Sequence, residues 1–133
     1  MNPSKIKVLN PRVWGVIVQF KVLKKGEARE VKFNDEVHKV CEFIVGDDTG
    51  IIGFNAWDEQ INSFVVGKTY EINEARMSVF NNSLKLNMSR KSKAKEIKEE
   101  FKVDESNNMS EQFVEAPKKF SYQKNIGFYN KFK

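Results

Sequence analysis

From residue 16 to residue 22 the apolar Val16, Val18, Phe20 and Val22 alternate with Ile17, Gln19 and Lys21. That period of two is the signature of a strand with one face in a core. Val31 and Phe33 prolong extended structure to a turn at Asn34-Asp35, and the β-branched run Val37 to Val45 forms a second strand. Gly46-Asp47-Asp48-Thr49-Gly50 then supplies turn residues. In the next segment Ile52, Phe54 and Ala56 alternate with Ile51, Gly53, Asn55 and Trp57, a third strand. Asp58 can cap a short amphipathic helix through Ile61, Phe64 and Val65, which Gly67 ends. Tyr70 and Ile72 open a fourth strand toward Val79. Asn81-Asn82 turns it into a fifth, in which Leu84, Leu86 and Met88 alternate with Lys85, Asn87 and Ser89.

The predicted order is β-β-β-α-β-β. Five strands with one helix between the third and fourth is the plan of the five-stranded OB-fold barrel, an all-β architecture that closes on itself. Pro3, Pro11 and Pro117 all lie near the ends, as expected if the interior is paired strand, where proline would remove a ladder bond. Residues 1–103 are expected to form the OB-fold domain. Residues 104–133 lack sustained periodicity and read as a flexible, disordered or partner-binding C-terminal tail.

The chain of 133 residues suits one domain. A single cysteine, Cys41, and a single histidine, His38, cannot make an internal disulfide or a four-ligand zinc site, so no metal or cofactor is expected. Apolar runs are too short to span a bilayer and the first residues lack a secretory pattern. The expectation is an intracellular protein, cytoplasmic in an archaeal host and nuclear in a eukaryotic one, with no membrane partner.

Charge adds to the picture once it is located. Residues 118–133 hold five lysines and no acid, which accounts for the whole net charge of +5. Before them the charge is blocked: residues 1–26 have six basic residues and no acid, 27–59 three basic and nine acidic, and 76–95 six basic and no acid. A fold that sets 1–26 beside 76–95 acquires one basic face, the footprint of polyanion binding. Scattered lysines on an ordinary surface are the competing explanation.

Trp57 is the leading candidate for chemistry. If Ile52, Phe54 and Ala56 fill the barrel, parity turns Trp57 outward beside Asn55 and Gly53, a platform on which a nucleobase can stack. The alternative folds Trp57 over the barrel rim. Phe80, at the edge of the Asn81-Asn82 turn, is a second platform or else a hairpin-closing aromatic. Arg76, Lys85 and Arg90 are placed to hold phosphates, with Lys21 and Gln19, outward on the first strand, as secondary candidates. Asp48-Thr49-Gly50 matches the catalytic string of aspartic proteases, but Gly46-Asp47 before it and Ile51-Ile52 after it suit a hairpin better than a shared-proton carboxylate pair. His38 reads as a surface or groove residue and Cys41 as a buried small hydrophobe. No catalytic residue is expected. The tail interleaves Phe120, Tyr122, Phe128, Tyr129 and Phe132 with lysines, a composition suited to nucleic acid or to a protein partner.

Several segments carry a family likeness in order and spacing: Glu42 to Gly50, Ala56-Trp57-Asp58, Tyr70 to Ala75, Ser78-Val79-Phe80 and Leu84 to Asn87. Over residues 4–103 the chain resembles the simple OB-fold single-stranded DNA-binding proteins of archaea and the related single-strand sensor subunits of eukaryotes. The resemblance implies sequence-tolerant binding of single-stranded DNA by base stacking, in replication, recombination or repair. Two of the family's stacking aromatics fall on Trp57 and Phe80. A third, usual on the fourth strand, falls on Arg76, and one seen on the fifth strand of eukaryotic members falls on Asn87. The resemblance also implies a protein partner near Phe101-Lys102-Val103, the tail being the other candidate segment. Two rival functions stay open: an RNA-binding OB module, and a protein-interaction subunit of a larger complex.

Overall fold

The computed structural model describes residues 3–80, 83–89 and 91–111, without the side chains of Phe33 and Phe80. Six strands are described: β1 Trp14–Phe33, β2 Glu36–Asp47, β3 Gly50–Trp57, β4 Thr69–Phe80, β5 Ser83–Met88 and β6 Ala94–Ile97. They run in the sheet order β1-β2-β3-β5-β4-β6, with β1 also pairing β4. That extra pairing closes a barrel of β1 to β5, the expected OB fold.

The length of β1 makes closure possible. Its first half, Trp14 to Lys21, pairs antiparallel with β4, and its second half, Lys21 to Phe33, pairs with β2. Register shifts between Val22 and Lys24 and between Lys25 and Ala28 bend the strand from one neighbour to the other, as bulges do. Asn34 and Asp35, at φ 52° and 61°, form the β1–β2 turn; two left-handed residues match the twist of the flanking strands, and Asn and Asp tolerate that region.

β6 adds to the expected order. It pairs with Thr69–Ile72 of β4 on the edge where β5 pairs with Ala75–Phe80, so β5 and β6 form one course interrupted at residues 89–93. The expected α-helix is instead a 3₁₀ turn, Asp58–Ser63. Asp58 does not cap it; its carboxylate accepts from the Lys39 N–H at 2.9 Å and pairs with His38 across the barrel end. The turn drives Ile61, and Phe64 beyond it, into the core.

That core is aromatic at its centre. Phe54 lies 5.2 Å from Phe20 and 5.1 Å from Phe64 between ring centroids, and Phe64 lies 5.0 Å from Tyr70. Such tilted and edge-to-face contacts suit the ring quadrupoles. Val18, Phe20, Val22, Ile52, Phe54, Ala56, Leu84 and Leu86 are buried, in agreement with the alternation. The Tyr70 hydroxyl escapes isolation by accepting the Val65 N–H at 2.8 Å.

Two chain ends are stitched to the barrel. Asp47, 1% exposed, accepts from the backbone N–H of Ile6 (3.0 Å) and Thr49 (2.8 Å) and from the Thr49 hydroxyl (2.6 Å). Residues 104–111, assigned to the tail from sequence, are bonded to the barrel: the Ile51 N–H donates to Asn107 O and the Met109 N–H to Ile51 O, each at 2.8 Å. The Ser110 hydroxyl accepts from Gly53 N–H and donates to Leu84 O. It bridges β3 and β5 where their short parallel pairing, Gly53–Asn55 with Lys85–Asn87, has not begun. Residues 112–133, including Phe120 and the other tail aromatics, lie outside the described residues.

Candidate nucleic-acid interface

Cross-strand register turns the alternation of five strands into rows of side chains around the barrel. Phe43, Phe54, Leu86 and Met77 align in one row and point inward. The next row, one residue along each strand, points outward: Glu42 on β2, Asn55 on β3, Asn87 on β5 and Arg76 on β4. Val40 and Trp57 flank it on one side, and Ile44, Gly53, Lys85 and Ser78 on the other. Five candidates from the sequence, Trp57, Asn55, Asn87, Arg76 and Lys85, therefore share one outer face.

Their surroundings differ. Trp57 is half-buried at the end of β3, its backbone N–H donating to Gln60 Oε1 at 3.2 Å, and it lines a groove with Asn34, Glu36, His38, Asp58 and Met88. His38 contacts Asp58 at 2.9 Å and Glu36 at 3.2 Å. The hydrogen bond to Asp58 holds the His38 pKa above its ordinary value, and the Glu36 carboxylate adds to this. The same bond, with the one from Lys39 N–H, holds Asp58 below the usual carboxylate range. The groove beside Trp57 is thus acidic, tempered by His38, as the acid-rich block 27–59 foreshadows.

Charge reverses toward β4. Arg76 and Ser78 are exposed, and the Asn87 amide donates to the Ser78 hydroxyl at 2.8 Å. Lys85 is not a free cation: its ammonium donates to the Glu42 carboxylate, and the pair crosses over Gly53. A methyl on Gly53 would stand 2.5 Å from Glu42 Oε2 and 3.0 Å from Lys85 Cδ, so a side chain there would push the ends of the bridge aside. The sequence marks Lys85 but offers no sign of Glu42 as its partner, since the two meet only through β2–β3–β5 pairing.

Gln19 and Lys21 stand apart from this face. Gln19 donates to Glu71 at 2.8 Å, and Lys21 pairs in register with Gly46 and Thr69. Gly46 opposes Ile51, six residues from Trp57 on β3, about 20 Å at strand rise. The Phe80 backbone ends β4 opposite Ser83, while its side chain and all of Arg90 lie outside the described residues. Phe101 is half-buried under the Lys5 ammonium, 5.2 Å from its ring centroid. Asp48 lies in the exposed β2–β3 turn in a 2.8 Å ion pair with Lys5, a hairpin as expected. Cys41 is buried; burial raises its thiol pKa.

One residue of the face escaped the sequence reading. The outward row continues from Arg76 to Trp14 on β1, which is 74% exposed. With an even number like Val16, Val18 and Phe20, it would count as core by alternation.

Among the described residues no helix is long and apolar enough to cross a membrane, and no cluster of His, Cys, Asp or Glu is arranged to hold a metal. Comparison with known proteins supplies the family and the fold. The family profile described as single-stranded DNA binding protein Ssb-like, OB fold, matches residues 6–96. The chain is 31% identical over 114 residues to the single-stranded DNA binding protein Ssb of Saccharolobus solfataricus, covering 86% of this chain and 76% of that protein. Among solved structures, a hypothetical protein of Arabidopsis thaliana superposes with a TM-score of 0.72 at 22% identity, over 88% of this chain and 90% of that one. DNA binding domain A of S. cerevisiae Replication Protein A superposes with a TM-score of 0.58 at 22% identity, over 74% and 96%. At such identities the structural matches speak for the fold, whereas the profile and the curated relative speak for descent. The chain belongs to the Ssb-like family of single-stranded DNA binding proteins with an OB fold.

Proposed function

We propose that this protein binds single-stranded DNA across the outer rows of β2, β3, β5 and β4, with little sequence preference, and acts by binding rather than by catalysis. The observation that carries the reading is the alignment of Trp57, Asn55, Asn87 and Arg76 on one outward face of a barrel whose family is defined by this ligand. Trp57 offers a ring on which any base can stack, a contact of about 1–3 kcal/mol that is indifferent to base identity. Arg76 supplies a cation for phosphate or a planar guanidinium for stacking. Lys85 joins once a phosphate competes with Glu42 for its ammonium. The Asn55 and Asn87 amides offer donors and acceptors to base edges or sugars, too few to read a sequence.

Phe80 extends this proposal toward the β4–β5 loop and Arg90 toward the β5–β6 connection by their places in the chain, while Gln19 and Lys21, which stand apart from this face, are not part of it. The role is in replication, recombination or repair, wherever the host exposes single strands. A protein partner, where one is recruited, has the half-exposed Phe101 stretch or the segment beyond residue 111 to dock on.

The test is a titration of intrinsic fluorescence with a mixed-sequence single-stranded DNA of about 20 nucleotides at two salt concentrations, with an RNA of the same sequence as competitor. Salt-sensitive quenching that weakens severalfold in Trp57→Ala for every sequence supports the proposal. Absence of both quenching and a mobility shift refutes it, and preferential displacement by RNA reassigns the ligand.

A further inference from the structure

The structure assigns a second base-stacking platform to Trp14, on a strand that the rows of β2 to β4 do not include; this rests on the single-stranded DNA reading above. Two compensating irregularities in the β1–β4 ladder set its position. Val18 opposes Ile72 and Val16 opposes Ala75, so β4 holds one extra residue there; Glu74, at φ 50°, lies in that stretch. Trp14 then opposes Arg76, so β1 holds an extra residue, Gly15, at φ 71°. A glycine in the left-handed region with one unmatched residue is the geometry of a bulge, which re-aims the neighbouring side chain.

The effect on Trp14 is a change of face. Without the bulge its spacing from Val16 and Val18 would send the indole inward. With it, Trp14 shares the outward side of Arg76, 74% exposed. The largest side chain type in proteins has been turned out of the core by a backbone device placed next to it, and among the described residues no hydrogen bond or ring contact engages it.

Its neighbours give the exposed ring an occupant. Trp14 extends the row Glu42, Asn55, Asn87, Arg76 by one strand. Three strand steps separate β3 from β1 along this arc, about 14 Å at the usual spacing. That is within the length of a strand of a few nucleotides, and OB folds engage roughly 4–16. The pairing also joins the two acid-free blocks, 1–26 and 76–95, so that Arg76 opposite Trp14 and the exposed Arg12, two residues before it in the chain, bring positive charge to this part of the surface. A base stacked on Trp14 would thus have cations near its phosphates, which an apolar protein surface has no use for.

The protein has two tryptophans, Trp14 and Trp57, so each can be made the only indole of the full-length chain. In Trp57→Phe, saturation with the 20-nucleotide strand should quench Trp14, and Trp14→Ala should bind that strand at least about fivefold more weakly than wild type, the lower end for one stacked base. Trp14→Phe should recover most of the loss. Unchanged Trp14 emission in a Trp57→Phe complex confirmed by mobility shift overturns the inference. Trp57 quenching in Trp14→Phe would still uphold DNA binding, so the two failures are separable. Emission that changes with protein concentration alone, without DNA, also overturns it and marks Trp14 as a protein contact. Equal thermal midpoints for wild type and Trp14→Phe exclude a folding artefact.

Discussion

Removing the Glu42 carboxylate as Glu42→Gln should tighten binding to single-stranded DNA, although the change deletes an ion pair. In the free protein Glu42 holds the Lys85 ammonium over Gly53, the two side chains being 44% and 20% exposed. A phosphate on Lys85 would lie roughly 5 Å from that carboxylate, and two like charges at this distance repel by about 0.8–1.7 kcal/mol for an effective dielectric of about 40–80. Relief of the repulsion predicts a gain of about fourfold to fifteenfold at low salt. A freed lysine that neutralises one more phosphate also steepens the salt dependence by about 0.7 in log K against log salt. Between 50 and 200 mM the variant should therefore lose about 2.5-fold more affinity than wild type. Titration of the 20-nucleotide strand at these two salts measures both effects. The double variant Glu42→Gln/Lys85→Met should show no gain over Lys85→Met, as a cycle requires when one residue acts through the other. The fold should survive, because exposed pairs contribute about 0–1 kcal/mol. Affinity and slope equal to wild type, with Trp57 still quenched, would show that DNA never reaches Lys85. A gain that persists without Lys85 would show a general charge effect in its place.

Other consequences concern stability and pH. Asp47→Ala strands the N–H groups of Ile6 and Thr49 beside a buried gap and should cost about 2–4 kcal/mol in urea unfolding; Asp47→Asn, which keeps an acceptor, should cost less. Ser110→Ala removes the bridge from Gly53 to Leu84 and should cost about 1–3 kcal/mol, while a chain ended at residue 103 should unfold at lower urea than the full chain. The His38–Asp58 bond raises the His38 pKa, so its stabilisation is complete below the ordinary histidine pKa and disappears as pH rises through the raised one. Asp58, held low, sets the opposite limit, its share vanishing as pH falls through its depressed pKa. The wild-type excess in thermal midpoint over His38→Gln should accordingly be fullest below the ordinary histidine value of about 6.5 and shrink as pH rises above it. A constant difference would refute the pairing. Protonated His38 also offsets Glu36, Asp58 and Glu59 around Trp57, so DNA affinity should fall over the same rise in pH.

What the sequence discloses and what it hides divide along the physics of strand pairing. Alternation is local, and each strand that obeys it is legible: Val18, Phe20 and Val22, then Ile52, Phe54 and Ala56, are buried as their spacing requires. Trp57 follows, because β3 stays regular to its last residue. The acid-free blocks 1–26 and 76–95 also proved informative, since β1 and β4 do pair between Trp14 and Arg76. Properties set by two strands at once were not legible. The Glu42–Lys85 bridge exists because β2 and β5 flank a glycine of β3, 43 residues apart in the chain, and neither residue type announces a partner. The 3₁₀ turn replaces an α-helix because the apolar Ile61 and Phe64 must reach the barrel floor within six residues while Asp58 is drawn to Lys39 and His38. Ser110 carries no periodic signal; its value comes from a gap between β3 and β5 that only closure creates. Trp14 is the clearest instance. One inserted glycine reverses the parity inference beyond it, so the residue that alternation counts as core stands outside, opposite Arg76 on β4.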